Sequence, residues 1–295
     1  MVPRCRRILL VSRKFHWRRG KYATILCAAI ELACVANSPT TTGRQSDFQQ
    51  GQVGANANRG WIGIRVEALP KGGVLVTSTI PRSPAATGGI RAGDHLMSAE
   101  GHIIDNPEDF VRLIRSRRPG TRLSLVGSRG PETRSFELKI ESAPDENGVL
   151  ERTFLDLPAP ALDGLASLSG EAAPSWSTLR GRIVVLDFWA PWCGVCHLIS
   201  PELNRWQTRF GERLVVMGIA PGSVPQIAQS APRFHMQYRV LADPGERVVR
   251  AFDAFAVPLV LVVDGDGVVR AVTLGYSSQQ LNKMEQLVEK LLAPT

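Results

Sequence analysis

The apolar run IVVLDFW (183–189) ends four positions before Cys193, and Cys196 follows three positions later. A continuous run of this kind suits a central strand buried on both faces. The segment after it is predicted to be a helix from Cys193 to about Phe210. Strand, turn and helix then set the first cysteine at the positive end of a helix dipole. That setting favours thiolate over thiol and brings a cysteine pKa from about 8.5 towards 7 or lower. Cys193 could attack a disulfide sulfur, and Cys196, one helical turn on, would close an intramolecular bridge and release the partner.

The other three cysteines, Cys5, Cys27 and Cys34, lie in the first 36 residues. Residues 1–21 carry eight Arg or Lys and no acid, and YATILCAAIELACVA (22–36) is apolar but short for a membrane span. Together they read as a signal peptide over 1–36, with an uncleaved anchor through 22–36 or lipidation at Cys34 as alternatives. The expected location is therefore outside the cytoplasm, periplasmic or in the cell envelope. The formal charge of +8 belongs to this segment, because 27 basic and 26 acidic residues remain beyond it. So balanced a remainder has no claim on nucleic acid. An exported chain left with two cysteines has not used them as a disulfide scaffold, and so small a loop adds little chain-entropy stabilisation. Chemistry is the expected use of the pair.

Residues 37–58 are polar and aperiodic, as in a flexible linker. A β-rich block over 59–143 follows, with WIGIRV, GGVLVTSTI, TRLSLVGS and TRSFELKIES as strands. Asn106 and Pro107 open a helix that Pro119-Gly120 stops. On Trp61-Ile62-Gly63-Ile64, SPAATGGIRAGDHLMSAEG (83–101) and that helix, the block resembles a PDZ domain of the HtrA type. The resemblance implies an extended peptide added as a strand, with protein or peptide C-termini as partners. Ile62, Gly63 and Ile64 would take the terminal carboxylate. Phe110, Leu113 and Ile114 would form the side-chain pocket, and Asp94 would support loop backbone.

A Pro-containing connection is expected at 144–155, and strands and helices alternate over 156–295, the pattern of an α/β domain. Trp189, Ala190 and Trp192 around the cysteines, the lead-in Leu162-Asp163-Gly164 and Leu179-Arg180-Gly181, and Ala256-Val257-Pro258 resemble the TlpA/ResA-like branch of the thioredoxin fold. That resemblance implies a central mixed sheet with flanking helices and thiol–disulfide oxidoreductase activity, expected in the reducing direction. The implied catalytic set is Cys193, Cys196, Asp187, Pro258 and Trp192. Asp187 would be a buried acid that relays the proton of Cys196, and desolvation in its apolar strand would raise its pKa. Pro258 would be a cis-proline facing the cysteines.

No cofactor beyond the Cys193–Cys196 disulfide and no metal is expected. Protein disulfides or dithiols are the implied partners, with a membrane thiol reductant as electron donor. Val195 and Leu259 depart from residues common in the branch. Cys193 to His197 also spells the CxxCH of haem attachment, but the flanking residues and the later Val-Pro argue against it. Ala190 stands where a peroxiredoxin needs Thr or Ser. The competing class is an adaptor whose peptide groove does the work, with the cysteine pair subsidiary.

Overall fold

The computed structural model describes residues 58–70 and 72–293. The expected signal peptide, lipidation site and nearly all of the first linker lie outside the described residues.

The N-terminal domain begins with β1 (Gly60–Trp61), β2 (Ile64–Ala68), β3 (Val74–Thr79), the one-turn helix α1 (Pro84–Thr87), β4 (His95–Ala99) and β5 (His102–Ile103). Helix α2 (Pro107–Ser116), β6 (Arg122–Arg129), β7 (Glu132–Lys139) and β8 (Glu141–Ser142) complete it. Its main sheet runs β2-β3-β4-β6-β7, with β5 beside β4, while β1 pairs with β8. Alternation drives the burial: Leu123 and Leu125 of β6, and Phe136 and Leu138 of β7, turn inward while their neighbours face out. As the sequence predicts, the Asn106 side chain caps α2 by accepting from the Asp109 N–H at 2.8 Å, with Pro107 in the first turn. Phe110 and Ile114 anchor the helix on the sheet. Strand β2 ends the sheet order, so one of its edges has no sheet partner among the described residues.

The C-terminal domain comprises α3 (Glu146–Phe154), β9 (Ala166–Ser167), α4 (Trp176–Leu179), β10 (Ile183–Phe188), α5 (Ser200–Phe210) and β11 (Leu214–Pro221). It continues with α6 (Val224–Ser230), β12 (Arg239–Asp243), α7 (Arg247–Ala251), β13 (Leu259–Val263), β14 (Val269–Leu274) and α8 (Ser278–Leu292). The sheet order is β14-β13-β10-β11-β12-β9, parallel from β10 to β12 and antiparallel elsewhere. Strand β10 is buried throughout. Its Val184, Leu186 and Phe188 join the core on one face, and Ile183 and Val185 join Ile199, Leu203, Trp206 and Val288 on the other.

Several segments differ from expectation. WIGIRV, expected as one strand, breaks at Ile62-Gly63 into β1 and β2, and His95–Ala99 forms the unexpected strand β4. The helix after the cysteines does not start at Cys193. A 3-10 turn spans Cys196–Leu198, and α5 begins at Ser200 with Pro201 in its first turn. The 144–155 connection is mostly helix. Asp145 caps α3 by accepting from the Gly148 N–H at 2.7 Å, and Leu150 and Phe154 enter the C-terminal core. Burying two such side chains contributes about 1.5–3 kcal/mol each.

Three arginines join the domains. Arg82, in a left-handed conformation (φ 58°), sends Nη2 to the carbonyl of Leu155 at 2.7 Å and that of Glu151 at 3.2 Å. It thereby closes the C-terminal end of α3, adding to the Leu155 N–H already bonded to the Glu151 carbonyl. Arg152 of α3 answers by donating to the Arg82 carbonyl at 2.9 Å, pairing with Glu141 at 2.8 Å and lying 5.1 Å from the centroid of Trp61. Arg65 of β2 forms a two-bond fork with Asp253, at 2.9 and 2.6 Å.

Candidate functional site: a disulfide and a groove beside β2

Cys193 and Cys196 sit just past the end of β10 and are joined by a disulfide. The Cys193 N–H donates to the Ala190 carbonyl at 2.9 Å and the Cys196 N–H to the Cys193 carbonyl at 3.4 Å, so the pair lies in a hydrogen-bonded turn. Contrary to expectation, Cys193 does not stand at the positive end of an α-helix. Cys193 precedes a 3-10 turn, and the α-helix proper starts four residues beyond Cys196. Both cysteines are buried with Trp189, Ala190, Ala220 and Phe234, and Val257 packs on the same cluster. Trp192 and Val195, beside and between the cysteines in the chain, are open to solvent at 73% and 50% exposure. His197 turns its Nδ1 to the Gly194 carbonyl. The Val257-Pro258 peptide bond is cis.

Asp187 is 1% exposed, between Leu186 and Phe188 of the central strand. Burial pushes its carboxyl up to about 7, against the opposing hydrogen bond from Tyr238. The Tyr238 hydroxyl donates to Asp187 Oδ2 at 2.7 Å, while Oδ1 has no partner among the described residues. Burial, and then the charge of Asp187, push the Tyr238 phenol above its ordinary range, so it remains a proton donor in this pair. A carboxyl with a pKa near neutrality, inside the fold and on the α5 face of the sheet, can accept or release a proton at physiological pH.

The second site lies between β2 and α2. A groove of about 350 Å³ is lined by Trp61, Gly63, Ile64, Phe110, Ile114 and Arg115, and Ile62 also borders it. The loop carbonyls are committed. Gly63 O accepts from the Ile80 N–H at 2.9 Å and Ile62 O from the Ala85 N–H at 2.9 Å. The N–H groups of Ile62 and Gly63 make no backbone bond among the described residues. Gly63 has φ +75° and a Cβ there would meet Ser83 Cβ at 2.3 Å, so only glycine fits. Leu113 is the one expected pocket residue that does not line the groove. Each helical residue turns about 100°, which carries Leu113 to the far side from Val111 and Arg115. It packs on the domain core, and Val111 and Arg115 take its place at the groove. Asp94, 0% exposed, accepts from the Arg91 N–H at 2.9 Å and from Arg129 Nε at 2.6 Å, a structural role as expected. Burial alone would raise its pKa, but the hydrogen bonds from Arg129 and Arg91 hold it below the usual range.

Two family models match without overlap: the PDZ domain over residues 60–140 and the AhpC/TSA family over residues 158–272. The chain is a PDZ domain followed by a thioredoxin-like domain. Among curated proteins it is similar to the DegP-like periplasmic serine endoprotease of Brucella suis, at 27% identity over 37% of this chain and 23% of that protein. It thus spans about a quarter of the length of such relatives. It is also similar to the thioredoxin-like protein YneN of Bacillus subtilis, at 26% identity over 42% of this chain and 74% of that protein. A solved thiol:disulfide interchange protein of the thioredoxin family from Chlorobium tepidum is 23% identical over 47% of this chain and 97% of that one, with a TM-score of 0.40. No helix among the described residues is long and apolar enough to cross a membrane.

Tyr238 in the thioredoxin-like domain and Arg65, Arg82 and Arg152 between the domains belong to no motif in the sequence, yet each makes a long-range contact. Tyr238 had one usable signal. An aromatic with a polar handle at the start of a buried strand usually finds a partner for its hydroxyl.

Proposed function

We propose that the chain is an exported thiol–disulfide oxidoreductase acting as a protein-disulfide reductase, whose PDZ groove recruits substrates by their C-termini. The observation that carries this reading is the Cys193–Cys196 disulfide at the end of a buried strand holding Asp187, with Trp192 and Val195 open to solvent beside it. In the reduced state, the Cys193 thiolate attacks a substrate disulfide sulfur, and the other substrate sulfur leaves as a thiolate that takes up a proton. Asp187 removes the proton of Cys196, whose thiolate then attacks Cys193 sulfur. The substrate departs with both sulfurs reduced, and the pair returns to the disulfide, two electrons having passed from protein to substrate. Trp192, Val195 and Phe255 offer apolar contact to the substrate chain. A membrane thiol reductant outside the cytoplasm would restore the dithiol. Ala190, three residues before Cys193, supplies no hydroxyl for peroxide chemistry, which favours disulfides over peroxides as substrate.

Cys196→Ser should trap mixed disulfides with substrate proteins, and Cys193→Ser should trap none. Equilibration with dithiothreitol buffers fixes the direction. A reduction potential near or below about −270 mV supports a reductase, and one near −120 mV an oxidant. The open β2 groove also favours a second reading, an adaptor with a subsidiary redox pair. A trapped set insensitive to competing C-terminal peptide would separate peptide recruitment from the chemistry.

A further inference from the structure

We infer that groove and disulfide form one elongated site for a single polypeptide tail, selecting substrates whose reactive cysteine lies a short, fixed distance from a free C-terminus. The inference rests on the proposed function above and adds the substrate class.

A tail with its carboxylate at Ile62–Ile64 and its body beside β2 must run antiparallel to that strand. The residues before the terminus therefore pass Arg65 and continue towards Ala68. Arg65 is forked to Asp253, in a left-handed turn (φ 50°) just beyond α7. Asp253 is four residues before Val257, which packs on the cluster that contains both cysteines. Four residues span at most about 14 Å, so the strand that guides the tail is tied to the loop that flanks the disulfide. Beyond the charged Arg65–Asp253 pair, Phe255 lies between Asp253 and Val257 in the chain and is 63% exposed, and Trp192 beside Cys193 is 73% exposed, so both are apolar side chains open to a substrate.

The geometry is also held from a second place. Arg82 grips the end of α3, and Arg152 of α3 lies over Trp61, which lines the groove. Fastening at two places limits how far the groove and the disulfide can shift apart, so spacing matters. An extended tail advances about 3.3 Å per residue, so the reach from β2 through the Arg65–Asp253 pair to the Val257 loop sets the favoured cysteine within on the order of ten positions of the terminus.

The test uses the full chain, pre-reduced, in single turnover with synthetic peptides ending in a free carboxylate. Each carries one cysteine as a glutathione mixed disulfide, at about 3, about 8 or about 18 positions from the end. Attack on the peptide sulfur expels glutathione, and Cys196 then frees the peptide thiol. The about-8 peptide should react on the order of tenfold faster than the others below saturation, and amidating its terminus should abolish that advantage. Equal rates for all three, with amidation still weakening binding by fluorescence anisotropy, would overturn the inference and leave the groove reading intact. Binding indifferent to amidation would overturn the groove reading and the inference with it. No reduction of any peptide would overturn the redox reading, and again the inference with it.

Discussion

The Tyr238 hydroxyl donates a 2.7 Å hydrogen bond to Asp187, and both groups are buried. Strand register makes this pairing possible. Asp187 lies beside Gly218 of β11, and the segment leading into β12 lies beyond it. A Cβ at Gly218 would stand 3.2 Å from the Tyr238 ring and 3.3 Å from Trp189 Nε1, so the bare glycine provides the room for the phenol to cross.

Tyr238→Phe removes the bond that lowers the Asp187 pKa and leaves desolvation unopposed. The carboxyl should then titrate above its present value of about 7. A hydrogen bond to a charged group is worth roughly 1.5–3 kcal/mol, or about one to two pKa units. The pH profile of mixed-disulfide resolution should move to higher pH by that amount, as should the carboxyl resonance of Asp187 by NMR.

Asp187→Asn should change how stability depends on pH. The carboxyl titrates at 3.8 in a model compound and about 7 in the fold, so the native state holds the proton more tightly. That contribution is fully present below about pH 4 and is lost as pH rises through 7. The asparagine variant has no such loss. Above pH 7 its oxidised form should resist denaturant better than the parent by on the order of a few kcal/mol, with the difference vanishing near pH 4.

Gly63→Val would force a side chain into Ser83 at a positive φ. We expect roughly 2 kcal/mol or more of destabilisation in the PDZ domain and loss of C-terminal peptide binding. The reduction potential of Cys193–Cys196 should not move. Thermal unfolding, anisotropy and redox titration on one preparation check all three.

Arg152→Ala removes the cation over Trp61, the pair with Glu141 and the bond to the Arg82 carbonyl. Its cost should be about 1–2 kcal/mol. Denaturant unfolding should then broaden or split, with the PDZ domain melting first.

Most of the longer strands, β4 excepted, and the α2 cap were legible in the sequence because their signals are local, as was the closeness of the two cysteines. The IVVLDFW run marks a strand buried on both faces, Asn106-Pro107 marks a helix start, and two cysteines three apart mark a turn. The start of α5 was misread because its apolar periodicity runs on through the 3-10 turn, whereas Pro201 in the first turn marks the true beginning. Helix α3 was missed because Pro144 and Gly148 look like a connection, although Leu150 and Phe154 stand one helical turn apart. Neither Tyr238–Asp187 nor the three arginine ties could be read, since each depends on register or domain docking between residues far apart in the chain.

Helix α3 carries a consequence for the history and engineering of such chains. It lies between the two family matches, so a boundary drawn from homology would discard it or assign it to either side. Its apolar face nonetheless belongs to the redox core, and the arginine that closes its end comes from the PDZ domain. A graft of either domain onto a new neighbour would leave α3 with one owner missing. The two halves are therefore not interchangeable modules, and recombination would have to carry α3 and Arg82 together.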